Sequence, residues 1–245
     1  MKGPVVLIHG AWSRGTTWAA VAARLSAAGL TVHAPDLPGH GADPTPPAEV
    51  GLAECAEAVA ALLRRSGPAL LVGHSMGGMV ISAAAERVPD LVVRLVYVAA
   101  FLPQDGDSLL DLIRRQEMPG IRDLVRPAPL PGATVLCPEG LCERLCQDAT
   151  QAQCAGVIAG LGQQPNRVQT EPAALTPERF GRVPRAYVLC RQDRTVSPDL
   201  QRRMAGRGAC DPVADIDCGH LPQITRPQML ADILLQLRQE EPSSP

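Results

Sequence analysis

Apolar residues along this chain follow two alternating rhythms: short continuous runs, and runs spaced three or four apart. Residues 5–8 are all apolar and enter a glycine-containing loop, which predicts a buried strand. Trp18, Val21, Ala22 and Leu25 then recur at helical spacing up to Gly29, predicting a helix with Trp18 in the core. A second strand is predicted over 30–34, ending in the turn Pro35-Asp36-Leu37-Pro38-Gly39. Leu52, Cys55, Ala56, Val59 and Leu62 mark one face of the next helix, closed by Gly67-Pro68. A third strand over 69–72 runs into Gly73-His74-Ser75-Met76-Gly77, followed by a helix carrying Met79, Val80, Ala83 and Ala84 and a strand over 91–99.

Strands alternating with helices at this rhythm imply right-handed crossovers and a mostly parallel sheet flanked by helices, an α/β fold. Strands buried on both faces should be continuously apolar, as Leu70-Leu71-Val72 and Leu95-Val96-Tyr97-Val98 are. The rhythm breaks after Phe101. Residues 103–181 hold helical stretches, such as 109–115 and 154–161, between proline-rich loops, and no strand is predicted there. It resumes with strands at 186–189 and 212–216 and a last helix carrying Ile233, Leu234 and Leu237 on one face. The expected organisation is therefore a core of 1–102 and 181–245 with a helical cap inserted at 103–180, and a frayed tail over 240–245.

The 245 residues are enough for one α/β domain with a substantial core. A formal charge of −2, with scattered charges, offers no basic face for nucleic acid. No apolar stretch reaches the ~18 to 20 residues that cross a bilayer, and four apolar residues near the start are too few for a signal core. The expectation is a cytoplasmic protein with no membrane partner. Eight cysteines include a group at Cys137, Cys142, Cys146 and Cys154. No C-x-x-C pair or nearby histidine suggests zinc, and without a secretory signal no disulfide is expected. Cys142 and Cys146, four apart, are read as small buried residues on one helix face.

The segment Gly73-His74-Ser75-Met76-Gly77 matches G-x-S-x-G between an apolar strand and a helix. A serine on such a turn has a strained backbone, and side chains at the flanking glycines would collide with neighbouring elements. The turn exposes the Ser75 hydroxyl and aims the Met76 N–H and the following helix at one point, where developing negative charge is stabilised. Ser75 needs a base. Of the five histidines, His9 lies in an early loop, His33 in a strand, His40 in the next turn, and His74 beside the serine facing away. His220 alone follows the last strand, in Asp217-Cys218-Gly219-His220, where strand ends converge on a crevice. The acid that orients it is read as Asp193 from the chain order serine, aspartate, histidine; Asp105 and Asp107 also follow a strand and remain alternatives. The loop His9-Gly10-Ala11-Trp12 after the first strand offers the Ala11 N–H as second oxyanion donor, with His9 and Gly10 shaping the loop.

These segments resemble the small α/β-hydrolase family of plant methyl-ester esterases, hydroxynitrile lyases and bacterial carboxylesterases, including pyrethroid hydrolases. The resemblance rests on 7–12, the Gly73 to Gly78 elbow, Pro184 through Asp193, Gln201 and Gly219-His220-Leu221-Pro222. It implies the α/β-hydrolase fold, a helical cap and the trio Ser75, Asp193 and His220; ester cleavage through an acyl-enzyme on that trio needs no metal or organic cofactor. Lyase members carry a threonine where this chain has Gly10 and a lysine where it has Leu221, so the resemblance favours ester hydrolysis over cyanide release. The expected partner is a small, largely apolar ester; C–C cleavage on the same trio and a non-catalytic receptor are the rival readings. Oligomeric state is not legible in the chain.

Overall fold

The computed structural model describes residues 3–239; the expected frayed tail lies outside them. Along the chain run β1 (Val5–Ile8), α1 (Ala19–Ala27), β2 (Val32–His33), α2 (Leu52–Ser66), β3 (Ala69–His74), α3 (Gly77–Arg87) and β4 (Val92–Val98). Then come α4 (Leu109–Arg114), β5 (Val125–Pro127), β6 (Ala133–Leu136), α5 (Leu141–Leu145), α6 (Gln151–Gly160), β7 (Gln164–Pro165) and α7 (Asn166–Thr170). The chain closes with β8 (Arg185–Cys190), α8 (Pro198–Arg207), β9 (Val213–Ile216), α9 (Pro222–Thr225) and α10 (Pro227–Gln239).

Six strands form one sheet in the order β2-β1-β3-β4-β8-β9, and every pairing in it is parallel. Strand alternation sorts their side chains between two cores. Val6, Ile8, Leu71, Leu95, Tyr97, Tyr187 and Leu189 join residues of α2, α3 and α8 on one face. Val5, Leu7, Leu70, Val72, Val96, Val98 and Val188 pack with α1 and α10 on the other. Both faces are covered along β1, along β3, and over 95–98 of β4 and 186–189 of β8, which is why these stretches read as apolar runs. Truncating a fully buried residue such as Leu71 to alanine costs about 2–5 kcal/mol by loss of burial and the cavity left behind.

Local chemistry sets the helix boundaries. The Glu54 carboxylate accepts the Gly51 N–H at the start of α2, at 2.7 Å. The Ser197 hydroxyl accepts the Leu200 N–H ahead of Pro198 at the start of α8.

Two expectations are corrected. The segment after Phe101 contains strands: β5, β6 and β7 make a small antiparallel sheet beside the helices. These strands are three, four and two residues long and include two prolines, so no run was long enough to show a strand period. The predicted strand at 30–34 shrinks to Val32–His33, because only that stretch pairs with the short edge of β1.

The chain leaves β1 toward β2 on one side, then returns to lay β3 on the other. The carboxyl ends of β1 and β3 therefore diverge at a topological switch point, where open α/β sheets hold their ligands.

Candidate active site

Ser75 sits immediately after β3 with φ 54°, a left-handed conformation that costs a non-glycine residue about 1–2 kcal/mol. Its neighbours hold it there. The Ser75 carbonyl accepts the Gly78 N–H at 3.1 Å and the Phe101 N–H at 3.0 Å, and its own N–H donates to Val98. The flanking glycines are required by space: a Cβ on Gly73 would lie 2.7 Å from the Gly77 carbonyl, and one on Gly77 2.7 Å from the Ile8 carbonyl. α3 starts at Gly77, so the positive end of its dipole points at the serine.

Asp193 follows β8, and His220 lies in the loop after β9, on neighbouring strands. Both are buried. The His220 Nδ1–H donates to Asp193 Oδ2 at 2.7 Å. The same carboxylate accepts the Thr195 and Val196 N–H groups on Oδ1, at 2.7 and 2.9 Å, and the Gln201 amide on Oδ2, at 2.9 Å. Four donors hold this one acid. With Nδ1–H committed to Asp193, the Nε2 of His220 is the unprotonated, basic nitrogen, and it has no hydrogen bond among the described residues. Asp105 and Asp107 are occupied elsewhere: Asp105 accepts the Leu175 N–H, and Asp107 pairs with Arg115 through both oxygens. Gln201 entered the sequence reading only as part of the family resemblance, with no role; its amide also donates to the Val196 carbonyl and accepts the Cys190 N–H. A glutamine on the buried face of α8 was the available signal.

The loop after β1 is held from three sides. The His9 Nδ1–H donates to the Gly10 carbonyl at 2.8 Å, while its Nε2 accepts the Leu37 N–H at 3.1 Å. Both ring nitrogens are thus used by a neutral imidazole. Burial, then the neighbouring His40, lowers the His9 pKa to about 3. Trp12, at φ 56°, donates its N–H to Gln164 Oε1 on β7, which also faces His40 Nε2. The N–H groups of Ala11 and Met76 donate to no acceptor among the described residues. Two free donors, one from each loop, flank Ser75.

Two cavities meet there. The larger, about 410 Å³, is lined by Ser75, His220, His74, Leu221 and the inner side of α6. The smaller, about 250 Å³, is lined by Ser75, Met76, Trp12, Phe101 and α4. Ala11 borders both. His74 departs from expectation. It does not face away: its ring lies 4.7 Å from that of His220, and its Nε2–H donates to the His220 carbonyl at 2.8 Å. As the last residue of β3, still in register with Val98, His74 points to the same face as Leu70 and Val72, where Trp18 and the loop carrying His220 lie. Burial, then the proximity of His220, pushes its pKa well down.

The cysteine reading is also corrected. Cys142 and Cys154 are joined in a disulfide between α5 and α6. Packing of the two helices brings the Cys142, Cys146 and Cys154 sulfurs within 4.8 Å of one another, a proximity that sequence spacing did not reveal. They form the one group of three or more candidate metal-binding side chains among the described residues, and two of its sulfurs are consumed by the disulfide. Cys146 is buried and free. Among the described residues no helix is long and apolar enough to cross a membrane.

A parallel sheet with a strained serine at its switch point, a buried histidine–aspartate pair and two free N–H donors defines the alpha/beta hydrolase class. The chain belongs to the alpha/beta hydrolase family, whose model matches residues 5–233. Within the family its relatives place it among the carboxylesterase-type hydrolases. Esterase PIR7B of Oryza sativa subsp. japonica is 31% identical over 94% of this chain and 92% of its own length. The pyrethroid hydrolase of Sphingobium wenxiniae is 31% identical over 94% of this chain and 85% of its own. The crystal structure of a pyrethroid hydrolase from Sphingobium faniae superposes with a TM-score of 0.82 at 28% identity, covering 96% of each chain.

Proposed function

We propose that this chain hydrolyses carboxylic esters of small, largely apolar substrates through a serine acyl-enzyme. His220 Nε2 takes the proton of the Ser75 hydroxyl as Oγ attacks the ester carbonyl carbon. The Ala11 and Met76 N–H groups receive the oxyanion, and Asp193 keeps Nδ1 protonated and stabilises the imidazolium. As the C–O bond breaks, His220 gives its proton to the departing alkoxide. Water then attacks the acyl-enzyme with the same base, and the acid leaves. No step requires a metal or organic cofactor. The segment 103–180 acts as the cap, closing apolar walls over the core formed by 1–102 and 181–245.

The observation that carries this reading is the hydrogen bond from His220 Nδ1–H to Asp193, which leaves a basic Nε2 at the cavity that Ser75 lines. Support for an ester over a cyanohydrin comes from Leu221, which is buried against that cavity and offers no cation for a leaving anion. The test is hydrolysis of short-chain p-nitrophenyl esters by wild type and Ser75→Ala. Turnover in wild type that falls at least 1,000-fold in the variant, to about the level left by binding and the oxyanion donors, is expected. Equal rates in the two proteins, or cyanohydrins and β-diketones consumed faster than every ester, would overturn it.

A further inference from the structure

The two cavities at Ser75 are not equivalent chemically. The base that accepts the serine proton returns it to the leaving oxygen, so on the reading above the alcohol must depart on the side where His220 lies. That is the larger cavity, which contains His220. The acyl group then occupies the smaller one, beside Met76 and Phe101. At about 250 Å³ this space lies below the usual range of small-molecule pockets, which limits the acyl group to a single ring or a short chain.

Its wall is mostly apolar, and the polar side chains in it are nearly all engaged with protein. The Gln116 amide donates to the Thr195 carbonyl and accepts the Ser197 N–H. Thr195 donates its hydroxyl proton to the Arg144 carbonyl. Arg122 donates to the carbonyls of Pro119 and Met118. Gln169, on α7, is different. It is only 8% exposed, lines the cavity, and its amide has no hydrogen-bond partner among the described residues. Trp12 lines the same cavity, and its buried indole N–H is likewise without a partner. The indole N–H is fully buried, and the Gln169 amide keeps its only access through the cavity, so both are placed to be satisfied by whatever fills it.

We propose that Gln169 is a specificity-determining residue that hydrogen-bonds an uncharged polar group, a keto, hydroxyl or ether oxygen, on the acid portion of the ester. The substrate class is therefore esters of short functionalised acids, not of plain alkyl or aryl acids. A site built to pair a polar group discriminates strongly against the analogue lacking it, because its own amide is then stranded. This rests on the esterase reading, and the experiment separates the two.

The probes are p-nitrophenyl hexanoate with its 4-oxo and 5-oxo analogues, and p-nitrophenyl benzoate with its 3-acetyl and 4-acetyl analogues. In wild type at least one oxo or acetyl ester is expected to exceed its parent about tenfold or more in kcat/KM. Gln169→Met, which keeps length and volume, and Gln169→Leu should each lower that ratio about tenfold, and neither should lower the melting temperature, since no protein hydrogen bond is lost. Wild type favouring every parent ester, or a ratio unmoved by both variants, overturns the proposal. A drop in melting temperature with parallel loss on all esters assigns Gln169 a structural role and also overturns it. If wild type hydrolyses none of the esters, the esterase reading fails on its own. Calorimetry of the corresponding methyl esters with Ser75→Ala, with and without Gln169→Met, then decides the Gln169 assignment: tighter binding of an oxo ester, lost in the double variant, upholds it, and equal affinities reject it.

Discussion

Replacing Asp193 by asparagine tests the catalytic geometry at its most constrained point. Every contact of this carboxylate is to a donor: two backbone N–H groups on Oδ1, and Gln201 and His220 on Oδ2. Asparagine has one oxygen and one NH₂ for these two positions. If its oxygen stays with the Thr195 and Val196 N–H groups, whose places the chain dictates, the NH₂ points at His220. Nδ1 must then accept, the ring proton moves to Nε2, and the nitrogen facing the cavity is no longer a base. In a serine–histidine–aspartate site the same switch of tautomer costs about 10⁴ in kcat. The expected loss here is about 10³ to 10⁴, or roughly 4 to 5.5 kcal/mol of transition-state stabilisation. The stranded donors cost folding about 1–3 kcal/mol, within what a domain of this size tolerates. Steady-state hydrolysis of p-nitrophenyl butyrate, with circular dichroism as a folding check, reads both. A folded Asp193→Asn variant keeping more than a tenth of wild-type kcat would refute this role for Asp193. Loss of that size in Asp107→Asn would move the role to Asp107, whose carboxylate is paired with Arg115.

Stability should fall in acid through His9 and His74. Both are held neutral in the fold with pKa values below the unfolded value near 6.5, so their contribution is full above that pH and is lost as pH drops from there toward about 3, where His9 protonates in the fold. Between pH 7.5 and 5.5 the two together should remove about 2–3 kcal/mol, and identical urea midpoints at the two pH values would contradict this. In Gly10→Ala the new methyl would sit 2.9 Å from Ser75 Cβ and 3.0 Å from His74 Nδ1; by displacing the nucleophile it should lower kcat by about 10². Wild-type kcat in that variant would show that the loop yields without moving Ser75. Thiol titration of the denatured, unreduced chain should count six groups, rising to eight after reduction. Cys142→Ser should cost up to about 3 kcal/mol, the closure entropy of the short α5–α6 loop, visible as a lower melting temperature.

The apolar runs of β1, β3, β4 and β8 were legible because a parallel strand covered on both faces needs no polar position. The elbow was legible too, since a strained serine between a strand and a helix permits few residues around it. Only the tertiary structure decided the remainder. Asp193, Asp105 and Asp107 all follow strands, and what separates them is which strand end lies beside that of His220, a matter of sheet order. Strands of two to four residues carry too few side chains to declare a period, so the small sheet of β5, β6 and β7 exists through pairing between distant segments. The Cys142–Cys154 bond and the roles of Gln201 and Gln164 depend on which helix or strand packs against which loop. Local sequence carries the period of burial and the sterics of a turn. The partners of a buried polar atom are long-range contacts, and these come into being only when the whole chain has closed around them.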